Sequence, residues 1–211
     1  MKIKKFCIIF FLCLFSASVY AQDKQFSWDY WHNGEVNLFN GESYQGKIKY
    51  DWEKNSVQLQ LAKGNIQSFN ALKVESFFIY DELLKTARDF YTLPFGKVGY
   101  NTPYFFELLT EGHLDLLNRD VVTQRYVSDP WYGRVGMWTS VVFEVIDSYY
   151  FLTKEGVVIK YDHDKDNLLA LMSDRSKDIQ TFINDKKLST ARRDHLLRIV
   201  EYYNSFYPKN E

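Results

Sequence analysis

SYQGKIKYDWEKNSVQLQLAKGN, residues 43–65, decides the fold class. Tyr44, Gly46, Ile48 and Tyr50 fall on one side of an extended chain, and Val57, Leu59 and Leu61 alternate with serine and glutamine. Side chains of a strand point to opposite faces in turn, so this spacing predicts two half-buried strands with one wet face. Lys63-Gly64-Asn65 then breaks the run as a turn would. Upstream, Asn33-Gly34 is a turn signal, Val36 and Leu38 share a face, and Asn40-Gly41-Glu42 turns the chain again. Downstream, Val74 leads into the dense run Phe77–Tyr80. Alternation punctuated by such turns predicts an antiparallel meander, a sheet that tolerates water on one side.

Residues 81–95, DELLKTARDFYTLPF, are read as helix, because Leu83, Leu84, Ala87 and Phe90 fit one helical face; the aromatics and Pro94 argue for a strand instead. GKVGYNTP, residues 96–103, is loop-like and is where the body could divide in two. YFFELL and HLDLLNRDVVTQRYV flank Glu111-Gly112, a hairpin tip, and Lys154-Glu155-Gly156 joins two further β-rich runs. After Asp162 the spacing turns helical. Leu196, Leu197, Val200, Tyr203 and Tyr207 make one broad apolar face, with Ser189 or Thr190 as its cap and Asp194 in its first turns. The expected class is therefore α+β: an antiparallel β-rich body over residues 22–161 and a helical segment over 162–211 packed on it. A membrane barrel is disfavoured, since a charged helical tail stands where a closing strand belongs.

The chain opens with Lys2, Lys4 and Lys5, an apolar run from Phe6 to Phe15, and Val19-Tyr20-Ala21. Positive start, short apolar core and small-residue exit predict a signal peptide over residues 1–21, cleaved after Ala21. An apolar run of ~10 residues falls short of the ~20 that span a bilayer. Cys7 and Cys13 both lie in that leader, so the mature chain is expected to hold no disulfide, thiolate nucleophile or thiolate metal site. Removing the three leader lysines from 26 basic residues leaves 23 against 27 acidic ones, a net charge of −4. That balance excludes a nucleic-acid footprint. The leader is expected to direct the product to the periplasm, the cell surface or the medium, with no transmembrane span after its removal.

Two groups of residues invite a site. Asp162, Asp164 and Asp166 alternate as the first ligands of a calcium loop do, but the sixth position is Asn167 rather than glycine and the twelfth is Ser173 rather than glutamate. A solvated turn into a helix explains them better, with Asp166 or Asn167 capping and Asp164 complementing the dipole. The other group is aromatic: Trp28 and Trp31 near the mature N-terminus, and Trp131, Tyr132 and Trp138 beside Arg134 on a glycine-containing loop. Loop aromatics next to hydrogen-bonding groups suit sugar rings or a peptide, and they also serve to cap sheet ends. The four histidines have no metal-ligand spacing, no nucleophile elbow or phosphate loop occurs, and no cofactor is called for.

GESYQGKIKYDWEKNSV, FFELLTEGHLDLLNR and LLRIVEYYNSF resemble a broad class of uncharacterised exported proteins of Gram-negative bacteria with β-rich bodies and helical C-termini. The resemblance implies location and architecture and carries no catalytic residue. The expectation is an exported soluble binding or structural module whose partner is an envelope protein or a glycan. The rival is a carbohydrate- or cell-wall-active enzyme, whose carboxylate pair 27 acidic residues cannot single out.

Overall fold

The computed structural model describes residues 30–61, 64–82, 85–97, 100–128 and 139–208. Among these residues ten strands form one sheet: β1 (His32–Leu38), β2 (Ser43–Asp51), β3 (Ser56–Gln60), β4 (Ile66–Asn70), β5 (Val74–Asp81), β6 (Thr86–Lys97), β7 (Tyr100–Thr110), β8 (Asp115–Ser128), β9 (Thr139–Leu152) and β10 (Val158–Lys160). Three α-helices follow in the described residues: α1 (Lys165–Leu171), α2 (Ser176–Asp185) and α3 (Arg193–Asn204), with a 3-10 turn over Ser173–Arg175 between the first two. The strand order is β10-β9-β8-β7-β6-β5-β1-β2-β3-β4, and the pairings are antiparallel. The α+β class with a β-meander body and helical C-terminus is what the alternation predicted.

The first five strands curl. β4 ends one side of the order β5-β1-β2-β3-β4, yet only residues 71–73 connect it to β5. A link of three residues reaches about 10 Å, so the two ends of this group must come together. Val36, Ile48, Tyr50, Val57, Leu59, Val74, Phe77 and Ile79 fill the inside of the curl. Asn55, in the β2–β3 turn with φ +49°, reaches across to β7: its Nδ2 donates to the Pro103 carbonyl at 2.9 Å and its Oδ1 accepts from the Phe105 N–H at 3.1 Å. Asn tolerates this left-handed backbone better than most residues.

The second part of the sheet carries the helices. Leu116, Tyr149 and Phe151 of β8 and β9 pack with Leu168, Met172, Ile179, Ile183, Leu196, Ile199, Val200 and Tyr203 of the C-terminal segment. The last helix is pinned to the β7–β8 turn by Asn204, whose Oδ1 accepts from Leu114 N–H and whose Nδ2 donates to Leu114 C=O, both at 3.0 Å. Among the described residues no helix is long and apolar enough to cross a membrane.

Three local expectations are corrected. The helix expected over 81–95 is strand from Thr86 onward. Residues 86–91 bond to β5 on one side and residues 89–97 to β7 on the other, and two flanking ladders outweigh a weak helical spacing. Leu83 and Leu84 lie outside the described residues. Pro94 faces Pro103 beyond the reach of β5, where a missing N–H costs nothing. The cap of α1 is Asp164, whose carboxylate accepts from the Asp166 and Asn167 N–H groups, so Asp166 and Asn167 are capped rather than capping. The third helix starts later than Ser189 or Thr190 would set it: Ser189 N–H donates to His195 Nδ1 at 2.9 Å, and Arg192 holds the N-cap position without a side-chain bond. In the stretch 96–103, read as a loop, Gly96 and Lys97 of β6 face Asn101 and Tyr100 of β7 instead, and residues 98–99 lie outside the described residues.

Candidate functional site

A trough of about 680 Å³ crosses the wet face of the curled unit, lined by Asn33, Glu35, Gln45, Lys47, Gln60 and Phe78, with Leu61 at its edge. Strand register assembles it. Phe78, Glu35 and Gln45 stand in one cross-strand row, and Asn33, Lys47 and Gln60 in the next. Between the rows Gly34 faces Gly46, so bare backbone forms the floor. A Cβ at Gly34 would collide with the Phe78 carbonyl, which is why only glycine fits where β1 meets β5 this closely. Glu35 is fixed by Gln45 Nε2 at 2.9 Å and Ser43 Oγ at 3.0 Å, and these donors hold its carboxyl below the ordinary value. Three carboxamides, a carboxylate, an ammonium and one ring thus converge on an open surface.

A second cluster lies inside. Between β7 and β8, Glu107 faces Asn118, and between β8 and β9, Asn118 faces Tyr149 and Asp120 faces Asp147. Arg88 grips Glu107 through two short bonds, Nε to Oε1 at 2.7 Å and a terminal nitrogen to Oε2 at 2.6 Å. From α3, Arg193 reaches Glu107 at 3.3 Å and Asp147 at 3.5 Å. Asn118 Nδ2 lies 3.3 Å from Glu107, 3.3 Å from Asp120 and 3.0 Å from Asp147. Two protons on one amide nitrogen cannot serve three ionised carboxylates at once.

Protonation of Asp120 relieves that excess below about pH 6. Burial pushes the Asp120 carboxyl up to about 6; Arg88 opposes the rise, and the nearby charges of Asp147 and Glu107 add to it. For Glu107 burial also works upward, but the Arg88 bonds and charge, with the Arg193 charge, outweigh it and leave the carboxyl below its ordinary value. The space enclosed by Tyr50, Arg88, Phe90, Phe105, Glu107, Asn118, Arg119 and Asp120 has no room for a water molecule. The cluster is thus a packed ionic core at the junction of sheet and helices.

The two titrations have opposite signs. The native state keeps the Asp120 proton to higher pH than the unfolded chain, so this residue costs stability as pH rises from the ordinary 3.8 to about 6, and the cost stays constant above. The Glu107 contribution is present above its ordinary 4.5 and is lost as pH falls through its lower native value. Asp120→Asn is expected to raise unfolding free energy at pH 7.5 by roughly 1–2 kcal/mol and to give no gain at pH 3.5. Urea denaturation of both proteins at the two pH values checks it; an equal effect at both would disprove the assignment.

Of the sequence-predicted aromatic residues, Trp31 lies half-buried just before β1. Trp28, Trp131, Tyr132, Arg134 and Trp138 lie outside the described residues. The three aspartates sit on the turn into α1: Asp162 accepts from the Asp164 N–H and from Asn167 Nδ2, Asp164 caps the helix, and Asp166 is in its first turn. Among the described residues no three His, Cys, Asp or Glu side chains are placed to hold a metal ion.

No family model, curated protein or solved structure matches the chain. The trough and the ionic core were both missed from sequence. The trough residues are the polar half of the alternation that marked the strands, and register alone brings them together. The ionic core had a signal: Glu107 is a charge inside the apolar run YFFELL.

Proposed function

We propose that the protein is an exported binding module of the bacterial envelope, in the periplasm or at the cell surface, that holds a hydroxyl-rich ligand, a glycan strand, in the trough. The trough carries this reading. Carboxamides and carboxylates pair with vicinal hydroxyls, and the half-buried Phe78 ring offers a face to sugar C–H groups. An open surface suits a chain passing across it better than a small molecule that needs enclosure. The leader, with both cysteines inside it, supports export.

The test is an NMR titration of the mature chain with peptidoglycan fragments and soluble envelope polysaccharide. Amide shifts are expected at Gly34, Glu35, Gly46 and Gln60. Gln45→Ala combined with Gln60→Ala is expected to weaken binding at least about tenfold, some 1.4 kcal/mol, with the melting temperature unchanged. Saturating glycan without shifts at these amides would refute the reading. Sequencing the N-terminus of protein recovered from the producing cell is expected to return Gln22, and an intact leader would remove the export claim.

One observation supports the enzyme reading: Asp120 and Asp147 form a cross-strand carboxylate pair with one member raised toward neutrality. New reducing ends during the same titration would favour it.

A further inference from the structure

After Asn118, β8 parts from β7, because β7 pairs β8 only from Glu107 to Thr110. β10 covers β9 only at Tyr150–Leu152. Among the described residues, 121–128 and 139–146 therefore pair only with each other, a two-stranded ribbon that leaves the sheet at the ionic core. A two-stranded ribbon is marginal by itself in water, and three or more strands or a packed face are needed to hold one firmly.

One face of this ribbon is apolar. The register stacks Val122 with Val145, Gln124 with Phe143, and Tyr126 with Val141, and period-two alternation puts all six on the same side. Their five hydrophobic members are between 43% and 69% exposed. Together the six side chains present on the order of 500 Å², toward the upper end of apolar patches on monomers. A standard interface needs about 800 Å² per partner, so this face with its rim approaches what a dimer requires.

We infer that the apolar face of the β8–β9 ribbon docks against the same face of a second copy of this chain. Two arguments select that occupant. The face is self-complementary in size. Its Tyr126 end is bulky and its Val122–Val145 end is small, so a two-fold axis through the central Gln124–Phe143 pair sets each bulky end over a small one. These six side chains carry no charge: the next pair on the face toward the sheet, Asp120–Asp147, belongs to the ionic core, and Arg125 and Glu144, 3.3 Å apart, belong to the opposite side. The mature bodies are net acidic, and pairing through neutral arms joins them while keeping like charges apart. A membrane is a poorer occupant, because this face offers no lysine or arginine to headgroups. Face-to-face stacking of two ribbons makes a four-stranded sandwich with sheets about 10 Å apart, which supplies the missing cover.

Sedimentation equilibrium of the mature chain from about 1 to about 500 µM tests the inference. A monomer–dimer equilibrium with a micromolar constant is expected. Phe143→Ser should weaken dimerisation at least about a hundredfold with an unchanged circular dichroism spectrum, since the ring is exposed. Because the mature chain lacks cysteine, Phe143→Cys should oxidise to a covalent dimer, while Val157→Cys, also exposed but off the ribbon, should not. A wild type that stays monomeric throughout this range, a Phe143→Ser protein that still dimerises, or monomers that float with phosphatidylglycerol vesicles would overturn it. These outcomes are independent of glycan binding in the trough.

Discussion

Arg88→Met is expected to lower the unfolding free energy by about 3–5 kcal/mol, the cost of stranding a buried carboxylate. Both partners of the Arg88–Glu107 pair are almost completely sealed, with 9% and 6% of their side chains exposed. Arg193 does not replace the lost cation, because it is itself 41% exposed and lies farther from Glu107 than Arg88 does. The companion change separates lost charge balance from lost packing. With Glu107→Gln added, the uncompensated charge disappears, and most of the deficit should return, since a buried ion pair replaced on both sides is often near neutral. Urea denaturation at pH 7 measures both. A single substitution costing under about 1 kcal/mol would mean that the guanidinium adds little, as exposed ion pairs do.

The other large effect belongs to the aromatic centre of the curled unit. Phe77 stacks on Phe90 at 4.5 Å between centroids, meets Phe105 edge-on at 5.0 Å, and lies 5.2 Å from Tyr50. All four rings are buried. Phe77→Ala removes the ring shared by these contacts and leaves a void that neighbours on three different strands cannot close together, so a loss of about 3–5 kcal/mol is expected. Phe77→Leu, which keeps much of the volume, should recover more than half of it. The contrast is Phe143→Ser, made for the ribbon, which should leave the monomer's stability within about 0.5 kcal/mol. Thermal and urea unfolding of the three variants would show the difference, and equal losses at Phe77 and Phe143 would contradict the placement of the core.

These effects explain which features could be read early. The alternation of Val57 and Leu59 against Ser56, Gln58 and Gln60 is a local property, because the strand period acts on neighbours along the chain. The burial of Leu196, Val200 and Tyr203 on one face of the last helix follows in the same way from its 3.6-residue period. The stretch from Thr86 to Phe90 misled because its spacing fitted a helix weakly, while the decisive bonds come from strands before and after it. Asp164 was assigned to the dipole rather than the cap because a shift of two residues in the helix start changes which aspartate is free to accept.

By itself, then, the sequence determined that this chain makes an antiparallel sheet followed by helices, since periodicity, turn residues and helix faces act over a few positions. It also set an aromatic-rich interior, without which a chain expected to lack disulfides would have little to hold it. Only the tertiary structure decided that Glu35 and Gln60 share a trough. Only it showed that Arg88, Glu107 and Arg193, up to 105 positions apart, share one ionic core, and that the far ends of β8 and β9 leave the sheet as a ribbon. Those arrangements depend on which strand lies beside which, and in what register. Strand neighbours are chosen by the packing of the whole sheet, whereas alternation records only which side of a strand faces inward.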